Sequence, residues 1–131
     1  MSVATAPGAG AAGGLGAGLV VFTGAKLTPG FDVVAEAVGL EKAIATADLV
    51  FTGEGSVDGQ TAQGKAVFGV TTLGAKYHKP VVVLGGAVLA GASDLYAHGM
   101  TAALSITPGP LTLSVCMDDA YALLALSLIH I

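Results

Sequence analysis

The sequence contains no arginine and only 5 lysines against 9 acidic residues, which gives a formal net charge of −4. Proteins that bind nucleic acid neutralise phosphates with clustered cations, so this composition argues against a nucleic-acid partner. The same shortage argues against binding to an anionic membrane surface. Because arginine is absent, the chain cannot supply a bidentate guanidinium contact to a carboxylate or a phosphate.

Cysteine is almost absent as well. The one cysteine, Cys116, excludes an intramolecular disulfide framework, and its mostly apolar surroundings favour a structural role. A chain without disulfides suits a reducing compartment, so we expect a cytoplasmic protein. The spacing of Cys and His residues matches none of the patterns typical of a metal site.

Charge is missing from residues 1–25, in a chain that is 53% hydrophobic with a mean hydropathy of +0.80. This segment does not predict a membrane span, because glycines and Pro7 interrupt it and bulky apolar residues do not continue for about 20 positions. It also lacks the basic start of a signal peptide. The many alanines and valines are typical of strands buried on both faces and of closely packed helices.

Three short apolar runs, at residues 49–51, 81–84 and 102–106, predict strands. Helical patterns separate them, at residues 33–46, 61–77 and 93–98 and again after Thr112. Asp32 is the expected N-cap of the first of these helices, which Gly39 could divide in two. The apolar stripe of this helix, which includes Val33, Val34 and Val38, is expected to face inward. The alternation predicts an α/β fold with a mostly parallel sheet and flanking helices, layered as in Rossmann-like proteins. We expect one domain over residues 1–125.

The most informative stretch is residues 48–65, which read as a strand, a glycine-rich loop and the start of a helix. Ligands of parallel sheets bind at loops of this kind. Glu54 and Asp58 lie in this predicted loop and could bind magnesium, or one could accept a hydroxyl proton during phosphoryl transfer. Alternatively, both are solvated, or Asp58 is the N-cap of the following helix.

Residues 59–65 match the phosphate-binding pattern G-x-x-x-x-G-K, which ends at Lys65. Two features argue against a true P-loop. Ala66 stands where a Ser or Thr hydroxyl would bind magnesium, and six residues, 53–58, separate the expected strand from Gly59. Lys65 near a helix start could still neutralise a phosphate.

Gly8, Gly10 and Gly13 match the dinucleotide pattern G-x-G-x-x-G. That fold requires a strand before the first glycine and an acidic residue about 20 positions later. Residues 1–6 make a poor strand, and Asp32 follows a Pro-Gly turn. Three interpretations stay open: a dinucleotide-dependent oxidoreductase, backbone amides that bind an anion at a helix start, and glycines that allow close helix packing.

Four segments together resemble the bacterial glycerate kinases of the type that includes the glycerate 2-kinases. They are the glycine-rich run at residues 7–16, Pro-Gly-Phe-Asp at 29–32, the stretch 47–65 and Lys-Pro-Val-Val-Val-Leu-Gly-Gly at 79–86. The resemblance covers about residues 7–125, and its most specific part is G-E-G-x-x-D-x-Q-T-x-x-G-K. It implies transfer of the ATP γ-phosphoryl group to D-glycerate with magnesium, in a fold of two α/β domains.

The resemblance also implies an active cleft built from the matched positions. Asp58 is the expected base or metal ligand, Glu54 is the second choice for the metal ligand, and Lys65 is the group expected to bind phosphate or the glycerate carboxylate. The remaining expected nucleotide-binding residues are Gly53, Gly55, Gln60 and Thr61, with Gly10, Gly13 and Gly14 in a second turn beside them.

Family members are much longer, so the resemblance implies a C-terminal portion of such an enzyme, with an arginine for the substrate supplied from elsewhere. Activity of this chain alone is therefore an open question, and a non-catalytic nucleotide-binding fragment is a further alternative. Residues 126–131 are apolar and atypical, and we expect either that the chain is cut there or that this tail is foreign to the domain. His78 and His98, near helix ends, are expected at the surface.

Overall fold

A computed structural model describes residues 3–62 and 66–129. The chain divides into two compact units, Met1–Val38 and Gly39–Ile131. The first unit holds a short 3-10 turn, Val3–Thr5, and two helices, α1 (Ala11–Thr23) and α2 (Gly30–Ala37). The second holds three strands and their helices, and it carries the α/β fold that the sequence predicts.

In the first unit the glycine-rich run forms a turn that leads into a helix, as predicted. Ala12, Gly13 and Gly14 have left-handed backbone conformations, with φ of 50°, 68° and 96°, so regular helix begins only after them. Val3–Thr5 is a 3-10 turn rather than a strand. The described residues before Gly8, from Val3 onward, therefore supply no strand of the kind that the dinucleotide interpretation requires.

Two predictions for α2 are wrong. Pro29 is the N-cap residue, and Asp32 lies inside the first turn, where its negative charge favours the positive end of the helix dipole. Val33, Val34 and Val38 were expected to face inward, but their side chains are more than half exposed. The predicted division at Gly39 is correct, because its φ of 66° ends one helix before the next, α3 (Leu40–Thr46), begins.

The sheet of the second unit is fully parallel, with the order β1-β2-β3. Its strands are β1 (Val50–Val57), β2 (Val81–Val88) and β3 (Ala102–Ser105). Between β1 and β2 runs α4 (Ala66–Lys76), and between β2 and β3 a 3-10 helix, Ala92–His98. Two helices follow β3, α5 (Leu113–Asp118) and α6 (Ala120–Ile129).

The core lies between the sheet and α4 with the 3-10 helix. Its buried side chains are apolar residues from each of these elements and from the end of β1: Val57, Val67, Val83, Ala92, Leu95 and Met100. β2 is the central strand, and its first five residues are buried, as its purely apolar sequence predicts. The parallel strands therefore all end at one edge of the sheet, near α4 and the loops that precede the next elements.

The two glycine-containing strands extend further than the sequence suggests. Gly53, Glu54, Gly55 and Ser56 were expected in a loop, yet they belong to β1, which pairs with β2 as far as Val57 opposite Val88. Glycine makes this pairing possible, because a Cβ at Gly53 would overlap the Leu84 carbonyl oxygen. The loop therefore begins only at Asp58.

The later elements mostly follow prediction. Gly99 ends the 3-10 helix, and the Thr112 side chain caps α5 by accepting from the Val115 amide at 3.4 Å. Asp118 is the last residue of α5, and Asp119 is its C-cap residue. His78 and His98 are exposed, as predicted.

The apolar segment expected to be foreign begins at position 126, and its first residues continue α6 through Ile129. Whether it is foreign stays a prediction. Within residues 3–62 and 66–129, none of the helices combines the length and the apolar character needed to cross a membrane.

Candidate functional site

A tight turn follows β1 at the carboxyl edge of the sheet, over residues 58–61. The Thr61 amide donates to the Asp58 carbonyl at 3.1 Å, which closes the turn. The Gln60 amide donates to the Asp58 carboxylate oxygen Oδ1 at 2.8 Å. Such a local side-chain contact is the usual reason for aspartate at the first position of a turn.

Thr61 connects this turn to the strand before it. Its hydroxyl donates to the Glu54 carboxylate oxygen Oε1 and accepts from the Asp58 amide at 3.1 Å. The Thr61 side chain is fully buried, whereas Glu54 and Asp58 are half-buried. One buried hydroxyl thus holds two carboxylate-bearing residues in a single hydrogen-bonded unit, with part of each acidic side chain open to solvent.

The prediction that Asp58 is the N-cap of the helix is wrong. Its carboxylate caps the turn itself through Gln60, and α4 begins at Ala66. One argument against a P-loop also changes, because β1 ends at Val57 and Gly59 follows it by only two positions. The other argument stands, since Ala66 offers no hydroxyl for magnesium.

The loop after β2 lies directly against this turn. The Leu89 amide donates to the Val57 carbonyl at 2.8 Å. Gly91 has a φ of 85°, and a Cβ there would lie 2.9 Å from the Gly59 Cα. Only glycine fits this conformation and this spacing, so the two loops contact each other backbone to backbone.

Two hydroxyl side chains mark the same edge at the end of β3. The Ser105 and Thr107 hydroxyls lie 2.6 Å apart, and the Thr107 amide donates to the Ser105 Oγ at 3.2 Å. The Ser105 hydroxyl also donates to the Gly86 carbonyl at 3.4 Å. Neither residue was predicted from the sequence as part of the site. Their signal was present, because they flank the end of a predicted strand just before the loop Thr107-Pro-Gly-Pro.

A cavity of about 600 Å³ opens between this edge and α5. Glu54 lines it, which places the cavity next to the turn. A second cavity of about 480 Å³ lies over the middle of the strands, between Phe51 and Leu84 on the sheet and Leu124 and Leu128 of α6. Cys116 is half-buried and lines the larger cavity.

The structure brings together four of the predicted site residues, Glu54, Asp58, Gln60 and Thr61. Gly53 and Gly55 lie beside them in β1 rather than in a loop. Lys65 falls outside the described residues, so its role stays a prediction.

The other predicted glycine turn lies in the first unit. Gly13 and Gly14 form its left-handed part, and Gly10 precedes it as the N-cap residue of α1. That Gly10, Gly13 and Gly14 lie beside the turn at residues 58–61 stays a prediction.

The donor chemistry at the turn suits magnesium. Mg²⁺ is usually held by one or two carboxylates together with water and substrate phosphates. Glu54 and Asp58 supply two carboxylates, and each has an oxygen that the hydrogen bonds described above do not use. Among the described residues, His, Cys, Asp and Glu do not gather in groups of three or more that could hold a metal by themselves.

The comparisons with known proteins agree on one family. The sequence model of the glycerate kinase family matches residues 1–131. A glycerate kinase of Halalkalibacterium halodurans is 43% identical over 122 residues, which are 93% of this chain and 32% of that protein. The glycerate 2-kinase of Escherichia coli K12 is 40% identical over 121 residues, 92% of this chain and 32% of that protein.

A solved structure gives the same result. The crystal structure described as a glycerate kinase 2 from Salmonella typhimurium LT2 superposes with a TM-score of 0.62 at 42% identity. The match covers 86% of this chain and 28% of that one. The chain therefore spans about a third of the length of the curated relatives it matches.

Proposed function

Because the chain belongs to the glycerate kinase family, we propose that it carries the phosphoryl-transfer edge of an enzyme that converts D-glycerate and ATP into phosphoglycerate and ADP. The observation that supports this most directly is the Glu54–Thr61–Asp58 unit. It presents two carboxylates where a parallel sheet ends, which is where ligands of such sheets bind.

The proposed reaction follows from the roles of these groups. A hydroxyl oxygen of glycerate attacks the γ-phosphorus, and the bond from the γ-phosphorus to the bridging oxygen of ADP breaks. Asp58 accepts the hydroxyl proton. Its Oδ1 is held by the Gln60 amide at 2.8 Å, which fixes the carboxylate for this task. Positioning and charge neutralisation carry most of the catalysis in such transfers.

Magnesium belongs to this proposal, with Glu54 as a ligand and with Asp58 as a ligand in the alternative to its role as the base. When bound, the ion would neutralise charge on the transferred phosphate. Lys65 is proposed to bind phosphate or the glycerate carboxylate. We propose ATP and D-glycerate as the small-molecule partners, without a nucleic-acid or membrane partner, in the cytoplasm.

The test is release of ADP in the presence of ATP, magnesium and D-glycerate, with L-lactate as the control. L-lactate is a hydroxy acid of similar size that lacks the second hydroxyl. The chain is assayed alone and in a chimera in which it replaces the matched third of the Halalkalibacterium halodurans relative. Circular dichroism and thermal melting show that the chimera is folded.

Release of ADP that depends on D-glycerate, in the chain or in the folded chimera, would support the proposal. A folded chimera that releases no ADP with D-glycerate, or equal amounts with L-lactate, would overturn it. If such a chimera still bound ATP, the result would favour the alternative of a non-catalytic nucleotide-binding module.

A further inference from the structure

The cavity of about 600 Å³ has a volume in the range of small-molecule sites. It lies at the carboxyl edge of the sheet, and its walls come from the ends of β1 and β2, the loop after β3 and the helix α5. Asp58 and Gln60 are absent from its lining, whereas Glu54 belongs both to the lining and to the turn. The cavity is therefore a neighbour of the proposed reaction centre rather than the same place.

The charge of this cavity does not favour the two anionic parts of the proposed substrates, the glycerate carboxylate and the triphosphate. Of its lining residues, which all lie in the described part of the chain, Glu54 is the one that carries a formal charge. The lining therefore offers no cationic side chain to a carboxylate or a phosphate. An uncharged part of a ligand is what remains.

Thr107 supplies the cavity with a hydrogen-bond acceptor. Its hydroxyl lies 2.6 Å from that of Ser105, and either oxygen could be the donor in this contact. A hydroxyl has one proton and two lone pairs, so in both cases the oxygen of Thr107, which lines the cavity, keeps at least one lone pair.

The opposite wall of the cavity is apolar. It includes Leu111, Leu113 and Met117, whose side chains are 44%, 78% and 71% exposed. An exposed apolar wall that faces acceptor groups complements a flat ligand with an apolar face and donors at its edge. Adenosine has this chemistry, since its purine ring is flat, and its amino group and ribose hydroxyls are donors.

We propose that this cavity binds the adenosine part of the nucleotide, with Thr107 as an acceptor and Leu113 and Met117 against the ring. This assignment rests on the proposed function, because it takes ATP as the nucleotide. The phosphates would then bind at the turn at residues 58–61. The nucleotide site therefore has one part for the uncharged nucleoside and another part for the anionic phosphates.

The test is titration of the isotope-labelled chain with three separate probes: adenosine, inorganic tripolyphosphate and D-glycerate. Backbone amide shifts are followed by nuclear magnetic resonance. Adenosine is expected to shift amides at residues 105–117 in a saturable way. Tripolyphosphate and D-glycerate are expected to leave those amides unchanged. Adenosine shifts confined to other residues, or absent at millimolar concentrations, would overturn the assignment.

Two pairs of variants sharpen the result. Thr107→Val removes the acceptor at nearly constant volume and is expected to weaken adenosine binding about two- to tenfold. Thr72→Val, at an exposed position on α4, is its control. Met117→Glu places a charge in the apolar wall and is expected to weaken binding more strongly. Leu126→Glu is its control, at a 48% exposed position of α6 outside the cavity lining.

This test and the test of the proposed function can fail separately. If the chimera releases ADP with D-glycerate but adenosine does not shift residues 105–117, the cavity assignment is wrong and the proposed function stands. If adenosine binds in the cavity with the expected variant effects but D-glycerate promotes no ADP release, the proposed function is wrong and the nucleoside site stands. Equal weakening by a variant and its control would also contradict the assignment.

Discussion

The buried hydroxyl of Thr61 donates a hydrogen bond to the carboxylate of Glu54, seven positions earlier in the chain. The same hydroxyl accepts from the Asp58 amide at 3.1 Å. Strand β1 and the turn after it are thus connected through a single oxygen atom. Both the stability of this edge and the placement of its carboxylates depend on it.

Replacing Thr61 by valine preserves side-chain volume and removes both hydrogen bonds. The free energy of unfolding is expected to fall by about 1–3 kcal/mol, because the Asp58 amide and the Glu54 carboxylate, both of half-buried residues, each lose a partner. Urea denaturation measures the change. Thr61→Ser keeps the hydroxyl and serves as the control, which should lose less. Equal losses in the two variants would show that the methyl group of Thr61, rather than its hydroxyl, is what matters.

The two glycines that flank Glu54 are expected to differ sharply in their tolerance of alanine. A Cβ at Gly53 would overlap the Leu84 carbonyl oxygen in the neighbouring strand, whereas a Cβ at Gly55 would meet nothing within 4 Å. Gly53→Ala should therefore destabilise the chain by about 1–3 kcal/mol or more, as overpacking does. Gly55→Ala should be much milder. Thermal melting of both variants checks this order, and the reverse order would mean that β1 and β2 are not paired as described.

An exposed ion pair links α3 to α4. The Lys76 ammonium group and the Tyr77 hydroxyl both donate to the carboxylate oxygen Oε1 of Glu41. The Tyr77 hydroxyl oxygen lies 2.7 Å from this oxygen. The hydrogen bond from Lys76, followed by that from Tyr77, lowers the pKa of Glu41. The carboxylate of Glu41 in turn raises the pKa of Lys76.

The sign of the pH dependence follows from these shifts. A carboxyl whose pKa is lowered by folding stabilises the fold above its unfolded pKa, and this contribution disappears as the pH falls through the lowered value. A lysine whose pKa is raised stabilises the fold below its unfolded pKa and loses that contribution as the pH rises through the raised value. Between these limits, both contributions are present.

Glu41→Gln should therefore lower the melting temperature slightly at neutral pH, because the pair is exposed and screened by solvent. The difference from the unmodified chain should shrink when the pH falls below the ordinary glutamate range. Glu36→Gln, an exposed substitution on α2, is the control. A difference that grew in acid would contradict the assigned direction.

The parallel sheet was predictable because the apolar runs that form β2 and β3 are short and bounded by Pro80 and by residues 107–110. The length of β1 was not predictable from the sequence. Glycine normally marks a loop, and only the structure shows that Gly53 allows the close approach of the Leu84 carbonyl. Local composition cannot reveal an approach between backbones that lie 31 positions apart.

The candidate site was predictable in the same partial way. Glu54, Asp58, Gln60 and Thr61 stood out because a family motif places them together in one short segment. Thr107 was missed because it reaches the same edge from a different strand. The inward stripe expected for α2 failed because periodicity shows which residues share a face, but not whether another element covers that face.

The measurement that most directly tests the central claim is the turnover of the chimera with Asp58→Asn. Asparagine keeps the oxygen that accepts from the Gln60 amide, so the turn is preserved while the base is lost. Glycerate-dependent ADP release is expected to fall by about a hundredfold or more, as for loss of a general base. The control is Asp94→Asn, at an exposed position of the 3-10 helix, which should leave turnover unchanged. Turnover of Asp58→Asn close to that of the unmodified chimera would contradict the account.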